Sequence, residues 1–237
     1  MPLNQRPRPQ WLTFDCYGTL IQWDEGLHAA VSRILASNPQ ERALPTPANF
    51  LNIYDQHEHR LERTPPHRNF ADIAREALRL TMQELGLTYR PEDANMLIDS
   101  ISAMPPFPEV VDTLSVLKQA GFRLCIISNT DDQIIAGNVA QLGGHIDRVI
   151  TAEQAGAYKP SGKIFAHAYN SLGVTADDVV HICASPHLDH AAARDIGFRC
   201  VWIDRGTGRQ RLPDYLPDAT VPTLDRVPDL FRNAGWL

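Results

Sequence analysis

Four polar positions, far apart in the chain, could together form one reactive centre: Asp15, the pair Ser128-Asn129, Lys159 and Asp189. A carboxylate such as that of Asp15 can attack an electrophilic carbon or phosphorus and form an ester. Thr19 follows beyond a Gly18 turn, where its hydroxyl and nearby backbone N–H groups can orient the carboxylate or bind an anion. Ser128 and Asn129 offer a hydroxyl and an amide to a substrate oxygen or leaving group. Lys159 supplies a cation that keeps Asp15 ionised and stabilises negative charge in a transition state. Asp189 suits pairing with Lys159 or holding the hydrolytic water. Taken singly, each has a plainer reading. Asp15 reads as a turn cap, Lys159 as a solvated lysine and Asp189 as a helix-dipole partner. Ser128 to Asp131 reads as an N-cap cluster for the next helix.

Their placement gives them weight. Trp11–Phe14 is a short apolar run ending at Asp15 and reads as a buried strand. Residues 26–36, 50–63 and 70–85 carry helical spacing, and Pro91 opens a fourth helix to about Met104. After the stiff Pro105–Pro108 segment, helix and strand alternate, with strands at 123–127, 148–151, 179–183 and 200–203. Gly206–Pro222 reads as loop. Alternation at this spacing predicts a parallel sheet covered on both faces, whose first strand lies far upstream. The fold class is therefore α/β, with a Rossmann-like core and an all-helical block inserted after the first strand. The expected bounds are residues 1–21 and 105–237 for the core and 22–104 for the inserted block. In such sheets ligands bind beyond the carboxyl ends of the strands, and Asp15, Ser128-Asn129, the Lys159 loop and the Ser185–Asp189 loop all fall there.

The 237-residue chain has a formal net charge of −6 and no basic patch, which excludes nucleic acid as an expected partner. Its longest apolar runs are too short to span a membrane, and Met1–Gln10 lacks the apolar stretch of a secretory signal. The expected location is the cytoplasm. The four cysteines show no metal-ligand spacing and read as reduced, mostly buried thiols; Cys16 stands out for its place beside Asp15.

The ordered set Asp15-x-Tyr17-Gly18-Thr19-Leu20, Ser128-Asn129, Tyr158-Lys159-Pro160 and Asp189 resembles the haloacid dehalogenase superfamily over nearly the whole chain. The resemblance implies a Rossmann-like core with a helical cap inserted after the first motif. The superfamily's phosphatases carry a second Asp two residues after the nucleophile, where this chain has Tyr17. They also bind Mg²⁺ through an acidic loop whose first Asp is replaced here by Ser185. Mg²⁺ favours carboxylate oxygens, so the pattern fits the L-2-haloacid dehalogenase branch, with no metal and no cofactor. By that resemblance Asp15 attacks C2 of a 2-halocarboxylate and displaces halide with inversion. Water then hydrolyses the ester. Thr19, Ser128 and Asn129 orient nucleophile and substrate, Lys159 supports both steps, and Asp189 helps place Lys159 and water.

Several positions depart from that pattern. The cap Arg that helps accept halide has no counterpart near Tyr54-Asp55-Gln56, and Asp55 falls at its place. Arg60 or Arg63, farther along the helix, is the candidate replacement. Ala184 and Pro186 stand where the branch has Ser and Asn, and Phe165 where it often has Tyr. His187, beside Ser185, is a candidate for binding a substrate carboxylate or acting as a base near neutral pH. Tyr17 and Trp23 are candidate pocket walls. The expected partner is a small carboxylate substrate, and the apolar cap faces suit a homodimer of the kind many relatives form. The alternatives are a hydrolase of another C2–heteroatom bond such as a strained ring amine, a phosphatase, or a non-catalytic family member.

Overall fold

Strands buried on both faces need near-continuous apolar runs, and five such runs pair in parallel here. The computed structural model describes residue 3 and residues 6–38 and 44–237. The strands are β1 (Trp11–Phe14), β2 (Arg123–Ser128), β3 (Arg148–Thr151), β4 (Val179–Cys183) and β5 (Arg199–Ile203). A sixth, β6 (Ala219–Val221), pairs with β5 at the edge. It lies inside the segment expected to be loop; three residues bounded by proline-rich turns give too short an apolar run to read as a strand. The sheet order is β3-β2-β1-β4-β5-β6. The chain first builds outward from β1 to β3 and then crosses to the other side of β1. The carboxyl ends of β1 and β4 therefore flank a topological switch point, the place where such sheets hold ligands.

Four helices follow β1: α1 (Trp23–Ala36), α2 (Pro47–Glu62), α3 (Phe70–Glu84) and α4 (Pro91–Ala103). Thr46 caps α2 by accepting from the Asn49 N–H, and Pro47 and Pro91 open α2 and α4 where a missing N–H costs nothing. Each helix buries one apolar stripe, such as Ile73, Ala74, Ala77 and Leu78 of α3, against its neighbours. Helices α5 (Val110–Gln119), α6 (Asp132–Val139), α7 (Ala152–Ala155), α8 (Gly162–Leu172), α9 (Ala191–Ile196) and α10 (Val227–Asn233) complete the core. Pro186–His190, which overlaps the Ser185–Asp189 segment expected to be loop, forms a wider π-helical turn ahead of α9. Residues 1–2, 4–5 and 39–43 of the expected bounds lie outside the described residues. No helix among the described residues is long and apolar enough to cross a membrane.

The inserted helices are tied to the sheet by polar contacts that sequence did not reveal. Asp131, in the cluster that also reads as an N-cap for the next helix, stands at the N-cap position of α6, but its side chain makes no hydrogen bond to that helix. Instead its two carboxylate oxygens accept from the Phe70 and Ala71 N–H groups, at 2.7 and 2.8 Å, and so cap α3. The Tyr158 hydroxyl donates to the Arg68 carbonyl, and the Asn138 amide donates to the Ile101 and Met104 carbonyls. Gly137 permits the close approach of α6 to α4, since a Cβ there would come within 2.5 Å of the Ser102 carbonyl oxygen.

Removing the Asp131 carboxylate orphans two helix N–H groups. Asp131→Ala is expected to lower unfolding stability by about 1–2 kcal/mol, measured by urea denaturation, with Asp131→Asn losing less.

Candidate active site between the strand ends and α2

Asp15 is the first residue beyond β1, and its N–H donates to the Ile182 carbonyl of β4. The chain then turns tightly. Gly18 takes φ 81°, a left-handed conformation that a side chain resists, and its N–H donates to the Ile21 carbonyl. The turn brings Thr19 back onto Asp15. Its hydroxyl donates to Asp15 Oδ2 at 2.6 Å and accepts from the Ala184 N–H at 2.9 Å. Lys159, on the loop after α7, reaches the same carboxylate from the other side. Its Nζ donates to Asp15 Oδ1 at 2.7 Å and to Asp189 Oδ1 at 2.8 Å.

Fully buried, the Lys159 ammonium is disfavoured by desolvation, yet Asp15 and Asp189 together raise its pKa well above the ordinary lysine range. Burial likewise works against the Asp189 carboxylate, but Lys159 and His181 outweigh it and hold its pKa down at about 2. His181, inside β4, sits 3.0 Å from Asp189 Oδ1, and its other ring nitrogen meets the Thr13 hydroxyl at 2.9 Å. Asp189 Oδ2 is buried without a partner among the described residues. Cys16 is also buried. Burial first, and Asp15 next, push its thiol well above the usual range, so it is a poor thiolate nucleophile.

Asn129 was expected to face a substrate oxygen. Its amide instead brackets the Lys159 backbone, accepting from the N–H at 2.7 Å and donating to the carbonyl at 3.2 Å. Ser128 Oγ is buried, has no partner among the described residues and lines the cavity. The cavity, of about 170 Å³, has Asp15, Ser128, Asn129 and Ser185 on its floor and α2 above. Tyr17 and Trp23 form one wall with ring centroids 4.9 Å apart, and the Tyr17 hydroxyl is anchored on Asn138 Oδ1 at 2.9 Å.

His187 lines the cavity and meets His59 of α2, Nε2 to Nε2, at 3.2 Å. Burial, then His59, lowers its pKa to about 4, so the ring is neutral at pH 7. Arg60, expected to serve the substrate, stands outside the cavity: it is exposed and its guanidinium meets His57 at 3.1 Å. The reason is helical pitch. Asp55, Glu58, His59 and Glu62 occupy i, i+3, i+4 and i+7 and share the inward face, while Arg60 at i+5 points away. That spacing was the sequence signal for the acidic face of α2. Arg209, from the loop after β5, also lines the cavity and pairs with Asp24 at 2.8 Å. No local pattern marks it, because loop geometry alone brings it there.

The model of the haloacid dehalogenase-like hydrolases matches residues 10–197. An (S)-2-haloacid dehalogenase of Pseudomonas sp. (strain YL) is 29% identical over 231 residues, covering 94% of this chain and 95% of the relative. The L-2-haloacid dehalogenase structure from Xanthobacter autotrophicus superposes with a TM-score of 0.80 at 22% identity, covering 95% of this chain and 99% of that one. A second structure of that enzyme, with chloropropionic acid covalently bound, gives 0.79 at 20%, covering 94% and 98%. At these identities the structural likeness is one of fold.

Because the folded-state pKa of Asp189 is depressed, its ion pair contributes stability above the unfolded value near ~4. That stability is lost as pH falls toward about 2. The expected result is a steeper loss of unfolding stability between those pH values in the native protein than in Asp189→Asn, read by chemical denaturation at a series of pH values.

Proposed function

The chain belongs to the haloacid dehalogenase-like hydrolases, and on that premise we propose that it hydrolyses small 2-substituted carboxylates, 2-haloacids foremost, through an ester on Asp15. The observation that carries this reading is the Asp15 carboxylate at the floor of a small cavity, with one oxygen on Lys159 and the other on Thr19. Two fixed donors orient the carboxylate for attack on C2. An Asp15 oxygen forms the C–O bond as the leaving group departs with the bonding electrons, which inverts C2. Water then adds to the Asp15 carbonyl carbon, and the tetrahedral oxyanion is stabilised by the Lys159 ammonium. Collapse releases the 2-hydroxy acid and restores the carboxylate. Ser128, with its hydroxyl unpartnered, donates to the substrate carboxylate. Asp189 fixes Lys159 through Oδ1 and offers Oδ2 to water. Asn129 is a positioning residue for Lys159.

We read the reaction as metal-independent. Asp15 and Asp189 already share the Lys159 ammonium, and Ser185 and Tyr17 stand where the superfamily's phosphatases carry carboxylates. We divide the chain into a core of residues 1–21 and 105–237 and a cap of residues 22–104, with the substrate enclosed between them. The names carried by the relatives, which concern 2-haloacids, support the substrate class.

Asp15→Asn is expected to reduce halide release from L-2-chloropropionate by at least about 10³-fold. EDTA is expected to leave the native rate unchanged. Turnover that survives Asp15→Asn contradicts the nucleophile, and turnover abolished by EDTA contradicts the metal-free reading.

A further inference from the structure

Outside the catalytic cavity, β4, the π-helical turn and β5 bring three soft donors together. Cys183 ends β4, His190 ends the turn and Cys200 lies within β5. The two Sγ atoms are 3.5 Å apart, and a ring nitrogen of His190 lies within 4.8 Å of both. All three side chains are fully buried, and none lines the cavity. His190 is the telling residue. An imidazole carries one donor and one acceptor, yet neither ring nitrogen of His190 has a hydrogen-bond partner among the described residues. The ring is held against Trp202 and Tyr215, with centroids 5.5 and 5.4 Å away. Burying two unsatisfied polar atoms is costly unless a ligand engages them. Two other groups lie close to Cys183, but both are occupied: His181 meets Thr13, and Asp189 holds Lys159 and His181.

We propose that Cys183, His190 and Cys200 form a structural site for one soft, thiophilic cation, Zn²⁺ or Cu⁺. Thiolate sulfur and imidazole nitrogen suit these ions, whereas Mg²⁺ and Ca²⁺ take oxygen. Binding forms two sulfur–metal bonds and one nitrogen–metal bond, and the two thiol protons leave to solvent. Burial, then Cys200, keeps the Cys183 thiol protonated when no cation is present, and the charge of the ion reverses that. Tyr215, from the segment after β5, sets its hydroxyl against Cys200 at the edge of the group. The ion ties the turn that carries Asp189 to β5. It steadies that turn without touching the cavity, so the inference is independent of the reaction proposed for Asp15. Because the site is enclosed, the ion enters as the chain folds, and EDTA added to the folded enzyme does not reach it.

The test unfolds the full chain in urea with a phosphine reductant and refolds it with Zn²⁺ or, anaerobically, with Cu⁺. Excess metal is removed by gel filtration and the protein is analysed for metal. About one ion per chain is expected in at least one arm, and none in Cys183→Ala/Cys200→Ala. Refolding with both ions present reads which of the two the site prefers. The loaded protein is expected to melt at a higher temperature than the metal-free protein, because the ion binds the folded state. Halide release by the double variant reports that it has folded. Should it not fold, Co²⁺ in place of Zn²⁺ reads the ligands in the native chain, where sulfur-to-cobalt charge-transfer absorption in the near ultraviolet is expected. No retained ion in either arm, retention unchanged in the double variant, or a Co²⁺ spectrum without sulfur bands overturns the proposal.

Discussion

A single buried ammonium organises the centre of this molecule. Lys159 Nζ lies 2.7 Å from Asp15 and 2.8 Å from Asp189, and all three side chains are withdrawn from solvent. Taking three charges out of water is expensive, and only close geometry with further hydrogen bonds offsets it. The fold supplies both. The Thr19 turn satisfies the second oxygen of Asp15, the Asn129 amide brackets the Lys159 backbone, and the Thr13–His181 pair steadies Asp189 from inside the sheet. Residues from four separate strand ends must meet at hydrogen-bond distance for this to hold. That requirement is why the parallel sheet, with β1 at its centre, is inseparable from the chemistry.

The two sides of the cavity are built differently. The floor rests on the Asp15–Lys159–Asp189 ionic assembly, with Ser128 Oγ and Asp189 Oδ2 left without a partner among the described residues. The opposite side is one helical face of α2, held over the floor by Asp131 at the N-terminus of α3 and by Tyr158 at Arg68. Burial raises the pKa of Asp55, Glu58 and Glu62 on that face, which favours their neutral forms.

Most of the sheet was legible because buried parallel strands leave continuous apolar runs, and most of the helices because their stripes repeat at 3.6 residues. The edge strand β6 was missed because three residues carry no period. Asp15, Thr19, Lys159 and Asp189 were legible as strand-end residues whose convergence follows from topology alone. Asn129 lines the cavity, as its strand-end position suggests, while its contacts with the Lys159 backbone have no signal in the sequence. The bond of the Asp131 side chain to α3 was not legible, because a cap for a distant helix has no local signature. Arg60 was chosen for its charge, although counting turns from Asp55 sets it on the outer face. Arg209 and Asp24 meet only through the loop after β5, which no periodicity describes.

The most direct test of the central claim follows the oxygen. After a single turnover of L-2-chloropropionate in ¹⁸O water, mass spectrometry of the peptide containing Asp15 reads the nucleophile itself. Ester formation followed by attack of water on the Asp15 carbonyl predicts one ¹⁸O in that peptide and unlabelled hydroxyl in the product. Label in the product hydroxyl with none in Asp15 would mean that water attacks C2 directly, and would contradict the account.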